Sequence, residues 1–206
     1  MVDSPNLESA PPLRARERIR QTARELFYKE GIRAVGVDTI VSKAGVTKPT
    51  LYRCFSSKDE LAAAYVRDYD AEFWERFESA GVGCENDPRR HLHNYLSGLG
   101  ERATGAGYRG CGLSNAAVEY PEKDNPARLV AEGGKQLLRD RLEGMARQMG
   151  ARNTGLLADG LLLLIEGAFV SGQIFHEGGP AGSVADVADM LIEASLAGGG
   201  SSGPAF

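Results

Sequence analysis

The stretch AGVTKPTLYRCFSSKDEL, residues 44–61, decides the fold. Gly45 stands where a short helix must stop, because glycine enters the left-handed backbone region at little cost. Thr47 then serves as an N-cap, and Lys48 and Pro49 fall in the first turn of the next helix, where a missing N–H does no harm. That helix runs through Leu51, Tyr52 and Phe55, and Leu51 and Phe55, four apart, share its inward face. Ser57 to Glu60, reading S-K-D-E, is a capping box that opens a fourth, longer helix to about Ser79.

Working outward, VDTIVSKAG (37–45) is the short helix that Gly45 ends. Before it, LRARERIRQTARELFYKEG (13–31) places Ile19, Thr22, Ala23, Leu26 and Phe27 on one helical face and stops at Gly31. Two short helices about a glycine turn, with Ile40, Val41, Ala44, Val46 and Leu51 to pack them, form the pattern of a helix-turn-helix. In that motif the second helix enters the major groove of DNA while its neighbours grip the backbone. Thr47, Lys48, Pro49, Thr50, Tyr52 and Arg53 then line the exposed side. Lys48 and Arg53 suit phosphates or guanine edges, the threonines offer hydroxyls and methyls, and Tyr52 offers a hydroxyl to phosphate. The start of the fourth helix, with free N–H groups and Lys58, makes a further anion site.

The charge pattern agrees. Over residues 13–58 eleven basic residues stand against four acidic ones, a surplus of +7, although the 206-residue chain carries a formal charge of −4. After Glu60 thirteen basic residues face twenty acidic ones, giving −7. A basic end meets a polyanion and an acidic remainder repels it; a merely solvated basic face is the alternative.

With 42% hydrophobic and 25% charged residues the chain has the means to bury a core. Three cysteines at 54, 84 and 111 do not make a disulfide framework and fit a reducing cytosol. The first twelve residues and 198–206 read as flexible tails around two domains, 13–60 and 61–197. The apolar run 160–175 is shorter than the roughly 20 residues of a membrane span and contains Glu166 and Gln173. It reads as a buried helix, so no membrane is implied.

Catalysis finds no support in the sequence. His91 and His93 point to different faces of a helix and His176 stands alone, so no metal site is expected. No nucleophile elbow and no glycine-rich loop after a strand is present, and no cofactor is implied.

The segment GIRAVGVDTIVSKAGVTKPTLYRCFSSKDEL (31–61) resembles the N-terminal DNA-binding domain of the TetR/AcrR family of bacterial transcriptional regulators, without a gap from about Arg16 to Ala62. The sequence departs from the family pattern at two positions. Gly36 stands where relatives commonly carry a capping threonine, so that phosphate contact is lost or passes to Thr39. Cys54 replaces the usual histidine of Tyr-x-His-Phe, as a lost contact or a redox-sensitive one. The resemblance implies an all-α fold, a cytoplasmic homodimer on a palindromic double-stranded DNA operator, and repression relieved by a small-molecule effector. A DNA-blind ligand-binding dimer and an activator are the competing readings.

The remaining helices must then supply a dimer interface and a pocket. Pro88 to Ala103, a short helix in CGLSNAAVEYP, and Pro126 to Met149 read as helices, the last with a stripe at Leu129, Val130, Leu137, Leu138, Leu142, Met145 and Met149. A helix at 154–175 is apolar nearly all round and one at 183–196 follows. The resemblance places these two in a bundle across the dimer axis, with Leu191, Ile192 and Leu196 against their symmetry mates. Tyr65, Tyr69, Phe73, Trp74 and Phe77 on the fourth helix read as core or as pocket wall. Glu166, Phe169 and Gln173 share a face, and Glu166 needs a partner: a cationic or hydrogen-bonding apolar ligand, or an arginine across the interface. By a resemblance of RGCGLSNAAVEYP to one subset of the family, Cys111, Asn115 and Glu119 border the pocket.

Overall fold

The structure, a computed structural model, describes residues 14–175 and 177–197. The expected tails at 1–12 and 198–206, and His176, lie outside them. The described residues form an all-α fold of α1 (Ala15–Glu30), α2 (Val37–Ala44), α3 (Lys48–Cys54), α4 (Lys58–Ser79), α5 (Pro88–Ala103), α6 (Gly112–Glu119), α7 (Pro126–Gln148), α8 (Thr154–Phe175) and α9 (Val184–Leu196), with a 3-10 turn at Pro180–Ser183.

Each local signal acts as the sequence requires. Ile19, Ala23, Leu26 and Phe27 form the buried face of α1. Gly45 ends α2 in the left-handed region at φ 62°. Thr47 Oγ1 caps α3 by accepting from Thr50 N, and Leu51 and Phe55 are fully buried. Ser57 Oγ accepts from Glu60 N as the capping box demands. The return contact reaches one residue further back than usual, because the Glu60 carboxylate accepts from the backbone N and hydroxyl of Ser56.

The fourth helix is the spine, in contact with α1, α6 and α7. Behind it α7 packs on α8, and α5 and α9 close the far side of α8. The expected boundary at residue 60 falls in the first turn of α4, so that helix continues unbroken from the head into the body.

Three expectations for the C-terminal half need correction. The buried stripe of α7 is Ala127, Ala131, Gly134, Leu138, Leu142 and Met145, whereas Leu129 and Leu137 point to solvent. Small residues face inward there because α4 and α6 approach closely: a Cβ at Gly134 would collide with the Leu113 side chain. Helix α8 has 22 residues and by length and composition alone is long enough to cross a membrane. Its seat among α5, α7 and α9 makes it a core helix, yet Leu156, Leu163, Val170 and Ile174 leave one of its faces uncovered. Ile192, expected at a dimer interface, is 1% exposed inside the protomer. Leu191 packs toward α8, where a Cβ on Gly160 would lie 2.8 Å from Leu191 Cδ2, and only Leu196 of the three is exposed.

Gly45 tests the turn chemistry. Open space surrounds its missing Cβ, so only backbone strain opposes a side chain there. Gly45→Ala is expected to lower stability by about 1–2 kcal/mol. Gly36→Ala, at an ordinary φ of −80° and also in open space, is expected to cost little. Urea unfolding at fixed protein concentration checks both.

Candidate DNA-reading head and ligand cavity

The face of α3 expected to read DNA is exposed. Thr47, Lys48, Pro49, Tyr52 and Arg53 are exposed, with Thr39 of α2 exposed beside them. Thr50 is half-buried, its hydroxyl 3.0 Å from that of Thr47. Lys48 pairs with Asp38 at 2.7 Å, a hydrogen bond that raises the lysine pKa and holds its ammonium at the start of the reading helix. Arg16 of α1 secures the other end of α3. Its guanidinium donates to the Cys54 carbonyl at 3.2 Å and lies 4.7 Å over the Phe55 ring. No sequence spacing announces that contact, since 38 residues separate the partners.

Lys58 is placed differently from the expectation of a free phosphate ligand. It is half-buried, donates to the Arg33 carbonyl at 3.4 Å, and burial lowers its pKa. The Glu60 N–H, expected among the free donors at the start of α4, is already taken by Ser57.

The head is tied to the body at several points. On the α1–α4 seam, Arg20 pairs with Asp68 and Arg24 with Glu72. From α6, the Glu119 carboxylate accepts from Arg33 N at 2.8 Å, its carbonyl accepts from the Arg33 guanidinium at 3.2 Å, and the Tyr120 hydroxyl meets Asp59 at 3.2 Å.

Between α1, α4, α5 and α8 lies a cavity of about 430 Å³. Of the residues expected to meet a ligand, Tyr69, Phe73 and Phe169 line it. Tyr65, expected as core or pocket wall, lines it too, together with Tyr28, Tyr95, Tyr108, Arg76 and Arg102, which no feature of the sequence assigns to a pocket. Burial raises the phenol pKa values of Tyr65, Tyr69, Tyr95 and Tyr108, so these side chains stay protonated.

The other expected ligand residues lie outside the cavity wall. Trp74 packs edge-on against Phe73 and Phe77. Asn115 donates to the Arg109 carbonyl at 2.7 Å, and Gln173 to the Phe169 carbonyl at 3.4 Å. Glu166 answers the question of its partner within the protomer. It pairs with Lys135 of α7, and its second oxygen accepts from the Ser114 hydroxyl at 2.7 Å. Neither a cationic ligand nor an arginine of a second copy is needed to satisfy it. Lys135 also lies 3.3 Å from Cys111 Sγ and 5.0 Å from the Phe169 ring centroid. Burial works against its charge, but Cys111 and Glu166 outweigh that and raise its pKa. His91 and His93 are both held by internal contacts, His91 Nε2 lying 2.7 Å from the Phe77 carbonyl and His93 Nδ1 2.8 Å from Asp189.

A capped three-helix head with an exposed polar α3 face, carried on an all-helical body, defines a helix-turn-helix DNA-binding protein. The family model for bacterial regulatory proteins of the tetR family matches residues 19–65. Those residues carry the DNA-binding module of that family, which makes the chain a DNA-binding transcriptional regulator. It is similar to a TetR-family transcriptional regulator from Streptomyces coelicolor, at 29% identity and a TM-score of 0.77, covering 89% of this chain and 94% of that one. A putative regulator from Streptomyces avermitilis is 27% identical with a TM-score of 0.80, covering 89% and 99%. The HTH-type transcriptional activator FasR of Mycolicibacterium smegmatis is 49% identical over 45 residues, which are 22% of this chain and only 20% of that relative's length.

Lys135 and Glu166 generate a test of the internal pair. Removing one partner strands a partly buried charge, so Lys135→Met is expected to destabilise by about 2–3 kcal/mol. The double replacement Lys135→Met with Glu166→Met is expected to recover most of that loss, and a double-mutant cycle in urea measures the coupling.

Proposed function

We propose that the protein is a cytoplasmic homodimeric repressor that reads a palindromic operator through α3 and leaves it when a small molecule fills the cavity. Residues 13–60 are its reading domain and 61–197 its regulatory and dimerisation domain. The observation that carries the reading is the pairing of two unpartnered surfaces of opposite character. The polar face of α3 carries Thr47, Lys48, Tyr52 and Arg53. An apolar face on α8 and α9 carries Leu163 at 71% exposure and Met190 at 69%, with Val170, Val187 and Leu196 also exposed. Apolar side chains left open on two adjacent helices suit a second copy of the chain, since isologous interfaces match a patch to itself. An activator is the second reading, favoured by the likeness of the head to FasR. A promoter fusion assayed with the operator upstream of, or overlapping, the start site separates the two.

Selection from random duplex DNA at about 150 mM salt, where non-specific binding is weakened, is expected to yield a palindromic consensus. Lys48→Ala is expected to weaken binding to that consensus and to lower the salt slope by about one. Asp38→Asn, which frees Lys48 and removes an acid beside the reading helix, is expected to strengthen it. Arg53→Ala is expected to abolish enrichment. No consensus from folded dimeric protein sinks the DNA-reading proposal.

Leu163→Asp with Met190→Asp is expected to shift the protein to monomer in sedimentation and to abolish operator binding. Ile192→Ala is expected instead to cost about 2–5 kcal/mol of stability, because its side chain is core. A dimer unaffected by the double charge substitution overturns the assignment of this face.

A further inference from the structure

The lining of the cavity carries information about what fills it. Its apolar wall is aromatic, with Tyr69, Phe73 and Phe169 facing the space. Its phenol hydroxyls are donors. The hydroxyls of Tyr28 and Tyr69 are spent on the Gly110 carbonyl, at 3.4 and 3.1 Å. The Tyr108 oxygen, by contrast, is buried with no hydrogen-bond partner. A stranded buried hydroxyl costs free energy that a ligand acceptor would recover.

The charges point the same way. Arg24, Arg76 and Arg102 line the space against Glu25 and Glu72. Glu72 is already engaged, 2.6 Å from Arg24 and 3.7 Å from Arg76, while Glu25 on α1 and Arg102 on α5 are both exposed at the mouth of the cavity. Among the described residues no carboxylate lies within ion-pair distance of Arg102. Arg76 and Arg102 line the same space as the Tyr95 and Tyr108 phenols. A cationic ligand held by aromatic faces meets an obstacle, because Arg76 already sits 5.8 Å over the Tyr69 ring.

The position of the opening matters as much. Gln21, Arg24, Glu25 and Tyr28 are one face of α1, and they form one side of the cavity. The occupant therefore touches the DNA-reading head itself.

We propose that the cavity takes a small aromatic carboxylic acid, its ring against Tyr69, Phe73 and Phe169 and its carboxylate on Arg102, Arg76 and the Tyr108 hydroxyl, and that the bound acid bears directly on α1. This rests on the reading of the protein as a ligand-controlled DNA-binding regulator, but its test does not need DNA. The guanidinium fork supplies the charge-assisted bonds and the free phenol supplies a third donor.

Three matched probes test it by calorimetry on the full chain: 2-naphthoate, 2-naphthamide and 2-naphthylmethylamine. Naphthoate is expected to bind at least about tenfold more tightly than the amide, the margin of a charge-assisted hydrogen bond, with the amine weakest. Arg102→Met is expected to remove that margin and leave amide binding unchanged. Tyr108→Phe is expected to weaken naphthoate several-fold without lowering the melting temperature of the free protein, since the lost hydroxyl has no partner there. Hydrogen exchange is expected to slow across residues 21–28 when naphthoate is bound.

Absence of naphthoate binding below about 1 mM, a preference for the amine, or naphthoate affinity unchanged by Arg102→Met overturns the proposal. Unchanged exchange in α1 overturns the direct contact with the head. The Arg53→Ala protein separates this outcome from that of the DNA-reading proposal, because it is expected to bind naphthoate like the parent. Naphthoate binding without a selected operator leaves the ligand class standing and removes only the regulatory reading.

Discussion

The carbonyl of Gly110 accepts the hydroxyls of Tyr28, from the last turns of α1, and Tyr69, from the middle of α4. The Tyr28 oxygen accepts in turn from Arg109 N at 3.1 Å. One short backbone segment thus fixes the reading head, the spine and the start of α6 against each other. Each of these polar groups would be costly to strand in the interior, so the junction holds as a unit. It depends on Gly112, where a Cβ would stand 2.8 Å from the Tyr69 ring; any side chain there would lift α6 off α4. The other end of α6 carries Glu119, which grips Arg33 of the head. Helix α6 therefore meets the head through both of its ends, and the cavity lies beside the first of them.

The bonds that position the head are uneven in strength. The Arg20–Asp68 and Arg24–Glu72 pairs sit at the rim with all four side chains roughly a third exposed or more, except the Asp68 carboxylate at 28%. Exposed pairs of this kind contribute about 1 kcal/mol or less each. The interior of the head is different, with Ile19, Ile40, Leu51 and Phe55 fully buried. A ligand that disturbs the α1–α4 seam therefore meets little resistance from the ion pairs, while the head keeps its own packing. Such a head moves as a unit, as the presentation of one helix to a groove requires.

Local chemistry explains how far the sequence could be read. The helix-turn-helix was legible because its signals lie within four residues of what they control: Gly45 ends α2, Thr47 caps α3, and Ser57 opens α4. The wall of the cavity was legible only in part. Tyr69 and Phe73 stood in a recognisable aromatic stripe, but Arg102 and Tyr108 come from the end of α5 and the loop after it, and only tertiary packing brings them to α4. The inward face of α7 was misread because apolar size was the guide, whereas close helix crossings select Ala127, Ala131 and Gly134 and turn Leu129 and Leu137 outward. Glu166 was correctly seen to need a partner, and nothing in its neighbourhood named Lys135, 31 residues earlier.

Internal contacts limit what the basic surplus of the head can do. Arg16 is committed to the C-terminal carbonyl of α3, Arg20 and Arg24 to α4, Arg33 to Glu119, and Lys58 to the Arg33 carbonyl. Lys48 is shared with Asp38 at the surface and exchanges partners easily. Arg14, Arg18 and Arg53 are exposed and have no carboxylate partner among the described residues. Only cations that are free or cheaply freed can neutralise phosphates and release counterions, so the phosphate contacts per head fall well short of the eleven basic residues. Much of the charge that marks the head in the sequence is structural, holding α3 on α1 and the head on the body. On the proposed reading, discrimination among DNA sequences comes chiefly from Thr47, Tyr52 and Arg53, on a helix that the Arg16 contact at its end and the Thr47 cap at its start hold in place.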